Sequence, residues 1–353
     1  MGSEALKTEP VCSIDRLTIL IYCPYMNLIR EEFDEDEFEM KRKRVEKITS
    51  YILEDRYKML SDDFHQGQRT KCYAKHFRTV WGHDIQLGPI YPVRKKVGVN
   101  TVNETDEDGN IIEVEKNVYE YFEPSYGLRV EYNPNKQDIR EITNFFSDFI
   151  RAVIKMNGGK MIPELLKISR IDVAVDYEHS LFPELITADK MYKSFTASSK
   201  KKSVETVYFG ARSSKNYFRI YDKANELREK QGIDYKGDLW RVELENKEPF
   251  LINEFPDTLY KSFQRLHFYS VAQETGDWKV DFALFYAQHF GLTAALAKMP
   301  KMTAFDFKKK LGSLTLSIEH PAEVFRLNFS NIWKNEKNKI LSTFGLTNSL
   351  GLL

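Results

Sequence analysis

The sequence predicts an α+β fold, a central, largely antiparallel sheet packed by helices and followed by a mostly helical C-terminal part. Three observations predict it. Runs rich in β-branched and aromatic residues crowd the chain as far as Phe250. Two connections, Gly210–Asn216 and Asp108-Gly109-Asn110, carry the turn formers of hairpins. Beyond Phe250 apolar residues recur at helical spacing, and strands followed by helices is the order of an α+β chain. We expect a loose N-terminus at 1–13, a core domain at 14–250 with an inserted hairpin near 97–118, and the helical part at 251–353.

The elements follow in order. Asp15–Cys23 reads as a buried strand, and the apolar residues of Arg42–Leu60 recur at helical spacing. Thr70–Val80, Ile85–Val93, Val97–Val102 and Ile111–Phe122 then read as strands. Leu128–Tyr132 is another, stopped by Asn133-Pro134-Asn135 because proline offers no donor. Ile139, Ile142, Phe145, Phe146, Phe149, Ile150 and Val153 mark a helix that Gly158-Gly159 ends. Three polar-faced strands come next: Ile168–Tyr177, Tyr217–Asp222 (paired in a hairpin with Val204–Gly210) and Leu239–Glu245. Ala224–Gln231 is a short helix ended at Gly232, and Leu259–Tyr269, Val280–His289 and Thr303–Leu311 read as helices. Pro321 suits the first turn of a last one.

Composition narrows the classes. The chain has 353 residues, enough for a real core, and its 52 Lys and Arg balance 52 Asp and Glu, so net charge alone does not argue for nucleic acid. No apolar run approaches the roughly 18 residues of a membrane span, and the N-terminus lacks a signal pattern, so a cytoplasmic protein without a membrane partner is expected. Cys12, Cys23 and Cys72 lie too far apart for a Cys-x-x-Cys site and read as free thiols. The acidic run Glu31–Glu39 reads as a solvated helix entry. Lysines cluster at Lys200–Lys202, at Lys298 and Lys301, and at Lys308, Lys309 and Lys310, all suited to phosphate contact or to an ordinary solvated surface.

The chemistry concentrates in Val204–Lys223. A two-residue period puts Tyr217, Arg219 and Tyr221 on one strand face and Phe218 and Ile220 on the other. A phenol, with an ordinary pKa of about 10, needs help to act as a nucleophile, and Arg219 or Lys223 could favour the phenolate. On the neighbouring strands Arg170, Asp172 and Asp176 share a face, as do Arg241, Glu243 and Glu245. If these faces converge, crowded carboxylates suit Mg²⁺ or Mn²⁺; the alternative is cross-strand ion pairing by Arg170 and Arg241. No P-loop, dinucleotide fingerprint, His-x-x-x-His, His-x-His or Gly-x-Ser-x-Gly occurs.

Five blocks, DRLTI (15–19), LRVEYNPNK (128–136), ISRIDVAVDY (168–177), TVYFGARSSKNYFRIYDK (206–223) and LWRVELE (239–245), resemble the trans-acting rolling-circle replication initiators (Rep-trans) of small Gram-positive plasmids. Related relaxases of integrative and conjugative elements carry similar blocks. The likeness covers about residues 10 to 315 in order, and YFG-x-R-x-S, R-I-Y-x-K and W-R-V-E in combination are specific to it. It implies a metal-dependent nicking and closing enzyme, a topoisomerase-like strand transferase, whose nucleophile is Tyr221 with Arg219 or Lys223 assisting. Metal ligands carry over most securely to Asp172 and Glu243, and Asp176 and Glu245 match too. The resemblance further implies a 5′-phosphotyrosyl intermediate, hairpin-bearing double-strand origin DNA and single-stranded DNA as substrates, a host helicase and a homodimer. Arg212 and the lysines of Lys298–Leu311 become the expected DNA contacts. The hairpin near Val97–Val118 and the tail beyond about residue 315 depart from the family pattern. Three other readings stand beside replication initiation: a relaxase starting conjugative transfer, a non-catalytic origin-binding protein and a hydrolytic metallonuclease. Tyr217 is the second choice of nucleophile.

Overall fold

The computed structural model describes residues 9–22, 43, 46, 57–66, 71–89, 94–105, 111–121, 126–157, 166–181, 185–188, 194–198, 204–269, 275–290, 292–314 and 318–346. The acidic run, Lys200–Lys202, Gly158-Gly159, Cys23 and the Asp108-Gly109-Asn110 turn lie outside them. The chain forms two compact units, one of residues 1–17, 133–135 and 169–338, the other of 18–132, 136–168 and 339–353.

The first unit holds a sheet whose strands are β1 (Val11–Tyr22, through Leu17), β8 (Leu166–Tyr177, from Ser169), β10 (Ser194–Ser198), β11 (Val204–Phe209), β12 (Asn216–Asp222) and β13 (Trp240–Asn246), in the order β10-β11-β12-β13-β8-β1. The pairings from β10 through β8 are antiparallel. In the second unit the order is β1-β7-β4-β3-β2, with β2 Tyr57–Gln66, β3 Lys71–Thr79, β4 Asp84–Pro89 and β7 Tyr126–Tyr132. Strands β5 (Arg94–Thr105) and β6 (Ile111–Tyr121) pair antiparallel with each other and, among the described residues, with no other strand. A 3₁₀ turn, Ile139–Ile142, capped by Asp138 and Glu141, leads into α1 (Thr143–Asn157), whose Phe145, Phe146 and Phe149 are buried.

Alternation explains why the first unit's sheet has one dry face. Ile171, Val173 and Val175 of β8, Phe218 and Ile220 of β12 and Val242 and Leu244 of β13 are all fully buried. Against them pack α3 (Asp257–Phe263) and α7 (Pro321–Thr343): Phe218 meets Phe263 edge-on, and Phe325, Phe329 and Trp333 stack along α7. The phenol of Tyr177, buried on the same face, donates to the Glu319 carbonyl at 2.9 Å. Helix α2 (Lys223–Gln231) starts where Asp222 accepts from the Asn225 amide and ends at Gly232, whose φ of 66° is left-handed and suits a residue without Cβ. Three helices, α4 (Trp278–Phe290), α5 (Leu292–Ala297) and α6 (Lys301–Leu311), share a small core with Leu185.

An α+β class with a large antiparallel sheet and C-terminal helices is therefore what the chain forms. Two helices predicted from spacing end early. Lys43 and Glu46 are helical, but Tyr57–Gln66 is strand β2, paired antiparallel with β3; the ladder's hydrogen bonds outweigh a helical spacing carried there only by Met59 and Leu60. Leu259–Tyr269 divides into α3 and strand β14 (Leu266–Tyr269), because Leu266 and Phe268 bury with a period of two against β9 (Leu185–Ala188).

Candidate functional site

The polar face of the same sheet carries the site. Register sets Tyr217, Arg219 and Tyr221 of β12 opposite Glu245, Glu243 and Arg241 of β13. These in turn oppose Asp172, Ala174 and Asp176 of β8. One grid of cross-strand positions thus brings together the phenol, the guanidinium and the carboxylates that the sequence singles out.

Tyr221 is 9% exposed, and its hydroxyl donates to Glu243 Oε2 at 3.3 Å. Arg219 holds the other oxygen of that carboxylate, Nη2 to Oε1, at 2.5 Å. Its guanidinium also lies 5.6 Å from the centre of the Tyr221 ring. Lys223 Nζ lies 5.8 Å from that centre and pairs with Glu226 at 2.7 Å. The expected lowering of the phenol by these cations is not what the surroundings produce. Burial first and then the Glu243 carboxylate push the Tyr221 phenol above its ordinary value, and Arg241 and Arg219 offset this only in part. The phenol is therefore a neutral donor aimed at a carboxylate, a geometry in which Glu243 can take its proton.

The acidic residues divide into two groups. Asp172 is bound by Arg170 at 2.7 Å, and Arg170 reaches Glu245 at the same distance. Arg16 Nε stands 4.0 Å from Asp172. Burial raises the Asp172 carboxyl to about 6, against Arg170, with Glu243 and Glu245 adding to the rise. Asp176 instead pairs with Arg241 at 2.6 Å, and Arg241 also binds Asp15. The ion-pairing alternative read from the sequence is thus present throughout the face. Among the described residues no three His, Cys, Asp or Glu side chains stand in a cation-coordinating group. The all-oxygen donor chemistry of Asp172, Glu243 and Glu245 fits a hard divalent cation, although Arg170, Arg16, Arg219 and Lys247 already pair with these carboxylates. Asp176 is committed to Arg241 and stands apart from that trio in the ion-pair pattern.

The remaining candidates lie elsewhere. Tyr217 is buried and stacked on Tyr208, rings 5.9 Å apart at 16°, whereas the Tyr221 hydroxyl has the Glu243 carboxylate as its acceptor. Arg212 is exposed in the β11–β12 turn, and Lys298, Lys301, Lys308 and Lys309 are exposed on the helical segment, with Lys310 half-buried. Sequence reasoning missed Asp15 and Arg16 as members of the polar face. Their signal was the DRLTI block itself, whose first two residues are charged in a strand otherwise without charge. Cys12 is a free, buried thiol, and no helix among the described residues is long and apolar enough to cross a membrane.

A neutral phenol paired with a carboxylate, flanked by arginines on an open antiparallel sheet, sits within the segment that defines a class: residues 166–254 match the replication initiation factor family. The likeness to the Rep-trans initiators of Gram-positive plasmids, expected from five sequence blocks, is borne out. Three replication initiation proteins of Staphylococcus aureus are among the similar chains. One is 25% identical over 211 residues (60% of this chain, 61% of the relative), another 27% over 194 (54% and 55%) and a third 32% over 121 (34% and 35%). The matched part covers less than two thirds of each of these relatives.

Proposed function

We propose that this chain initiates rolling-circle replication of a plasmid-type element by nicking and closing its origin through a 5′-phosphotyrosyl link on Tyr221. The observation that supports this most directly is the Tyr221 hydroxyl donating to Glu243, inside the segment that resembles replication initiation factors.

In this reading a phosphodiester at a hairpin-extruded, single-stranded origin lies over the polar face. The Tyr221 oxygen forms a bond to phosphorus as its proton passes to Glu243. The bond from phosphorus to the 3′ oxygen breaks, and Glu243 returns the proton to that oxygen as it leaves. Arg219, partly exposed beside both groups, pairs with the phosphate's non-bridging oxygens as charge builds. Mg²⁺ or Mn²⁺, when held by Asp172, Glu243 and Glu245, would polarise a non-bridging oxygen and offset the charge of the carboxylates. Lys223 steadies the start of α2 and reaches the phosphate only if it leaves Glu226. Because the phosphotyrosyl ester keeps the bond energy, a 3′-hydroxyl reverses the step and reseals the strand. Residues 14–250 do the chemistry, while Arg212, Lys298, Lys301 and Lys308–Lys310 hold origin duplex by its phosphates. A host helicase unwinds from the nick, and a homodimer would supply a second Tyr221 to end the cycle.

The test uses end-labelled single strands carrying a candidate origin hairpin, with Mg²⁺ or Mn²⁺, resolved on denaturing gels beside Tyr221→Phe. A protein adduct on the 5′ end of the downstream fragment, absent in the variant, is the expected result. Cleavage without an adduct would mean a hydrolytic nuclease.

A further inference from the structure

The cations around the Asp172, Glu243 and Glu245 carboxylates are not held alike. Arg170 spans two of the three: its Nε and Nη2 donate to the Asp172 oxygens at 2.8 and 2.7 Å, and Nη2 also reaches Glu245 Oε2 at 2.7 Å. Arg219 is committed to Glu243, and Arg16 stands 4.0 Å from Asp172. Lys247 pairs with the other oxygen of Glu245, Oε1. A guanidinium fork on two carboxylates is fixed by its plane, whereas an ammonium is a point charge at the end of a flexible four-carbon stem. The Lys247 side chain is also the more open of the two, 33% exposed against 22% for Arg170. Of the two cations on Glu245, Lys247 is the one that can leave.

Lys247 has a second partner. Its ammonium also donates to the backbone carbonyl of Arg212, in the turn between β11 and β12. The Lys247 amide donates to the Lys215 carbonyl at 2.7 Å on the other limb of that turn, and Lys215 Nζ pairs with Glu248 at 2.9 Å. Within the turn the Ser214 amide and hydroxyl both close on the Ala211 carbonyl, at 2.9 and 2.5 Å. The end of β13 therefore grips the turn twice, at Lys215 through the backbone and at Arg212 through the ammonium. Only the second grip passes through a charge that Glu245 shares. All of these residues belong to one compact unit.

We infer that Lys247 is the built-in counter-cation of Glu245, displaced when a divalent cation binds the carboxylates, and that this displacement loosens the Arg212 turn. The inference deepens the proposed function and rests on its reading of Asp172, Glu243 and Glu245 as the cation's ligands. Like charges on one carboxylate repel, most of all in a partly buried place where water screens little. Lys247 gives up Glu245 instead of sharing it with a doubly charged ion. Its ammonium is then released beside the exposed Arg212, and positive charge passes from the carboxylates to the turn. The coupling is reciprocal: the tether weakens cation binding by as much as cation binding weakens the tether.

The test titrates Mn²⁺ into the full chain and follows the electron paramagnetic resonance signal of the free ion. Lys247→Met should bind Mn²⁺ roughly tenfold tighter than the native protein, the size of effect that one neighbouring charge exerts at a carboxylate. Lys247→Arg, which keeps the charge, should show no such gain. A loss of fold does not produce tighter binding, and thermal melting checks the variants. Unchanged or weaker binding by a folded Lys247→Met overturns the inference. A second measurement needs no variant: by mass spectrometry, Mn²⁺ should speed hydrogen exchange at the amides of residues 211–215 in the native protein, and exchange that is slowed or unchanged also overturns it. If neither the native protein nor Lys247→Met takes up Mn²⁺, the cation reading and the inference fall together. If the native protein binds the ion and Lys247→Met binds it no tighter, the inference falls alone. Adduct formation by Tyr221 is scored on separate gels and decides only the strand-transfer reading.

Discussion

Tyr221 and Glu243 are diagonal neighbours on adjacent antiparallel strands: Tyr221 faces Arg241 in the register and Glu243 faces Arg219, yet the phenol crosses to the carboxylate at 3.3 Å. The diagonal ties the nucleophile to an acceptor that is itself held by a guanidinium, so the carboxylate is oriented before any substrate arrives. Glu243→Gln keeps the shape and removes the basicity. It should slow adduct formation by roughly 10²- to 10⁴-fold, the range of a lost general base, while oligonucleotide affinity stays within a few fold. Single-turnover gels with the variant check it. An unchanged rate would show that Glu243 only orients the ring.

Arg241 predicts a stability effect. Its side chain is 12% exposed and separates Asp176 from Asp15, so its loss leaves two partly buried carboxylates facing each other. Arg241→Leu should cost about 2–3 kcal/mol in urea denaturation, below the value for a fully dry pair because both carboxylates keep some water. Adding Asp15→Asn to that variant should recover part of the loss, and strict additivity of the two changes would count against the coupling.

Much of this face was legible from the period of two in Ile168–Tyr177, Tyr217–Asp222 and Leu239–Glu245, because a strand with one dry side has no freedom in which residues face the other. The order of those strands was not readable in that pattern, nor was the way Arg170 and Arg241 divide the carboxylates between them. Such pairing depends on register across strands 65 or more residues apart, as with Arg241 and Asp176. Local spacing misled where it was weakest. Met59 and Leu60 fit either a helix or strand β2, and only the partner β3 decides. The core-facing side of α4 was equally hidden: a helix apolar on both sides reads in sequence as simply buried, and it takes the packing of Val280 and Leu284 to show which side faces the core.

The carboxylate trio predicts a cation response that does not depend on activity. Millimolar Mn²⁺ should raise the melting temperature of the native protein, about 2.7 kcal/mol of added stability being expected at a hundredfold excess over its Kd. Asp172→Asn should abolish the shift and Asp176→Asn should leave most of it, because Asp176 is engaged by Arg241. Equal loss in both variants would place Asp176 in the cation shell.

The exposed lysines of α6 predict a change in salt dependence. If Lys301, Lys308 and Lys309 each neutralise one origin phosphate, replacing all three by alanine should flatten the plot of log affinity against log salt by about 2.7, or 0.9 per contact. The loss should be similar for origin and unrelated duplexes, since phosphate contacts carry no sequence information. A loss confined to the origin would mean that these side chains read bases.

His83 makes the second unit sensitive to acid. It is fully buried, its Nε2 faces the Asp138 carbonyl at 3.1 Å and its Nδ1 the Thr79 hydroxyl at 3.0 Å, an arrangement that suits a neutral ring with its proton on Nε2. Burial holds the imidazole below its ordinary value of 6.5, although Glu141, Asp138 and Asp84 pull the other way. The unfolded chain therefore binds this proton at higher pH than the folded one does. Stability from His83 is fully present above about pH 6.5 and is lost as pH falls through the folded value. Melting curves between pH 8 and pH 5 should show a decline that is shallower in His83→Gln, even though the variant melts lower at pH 8 for want of the ring's packing against Tyr132. A decline of the same slope in both proteins would assign the acid sensitivity to other groups.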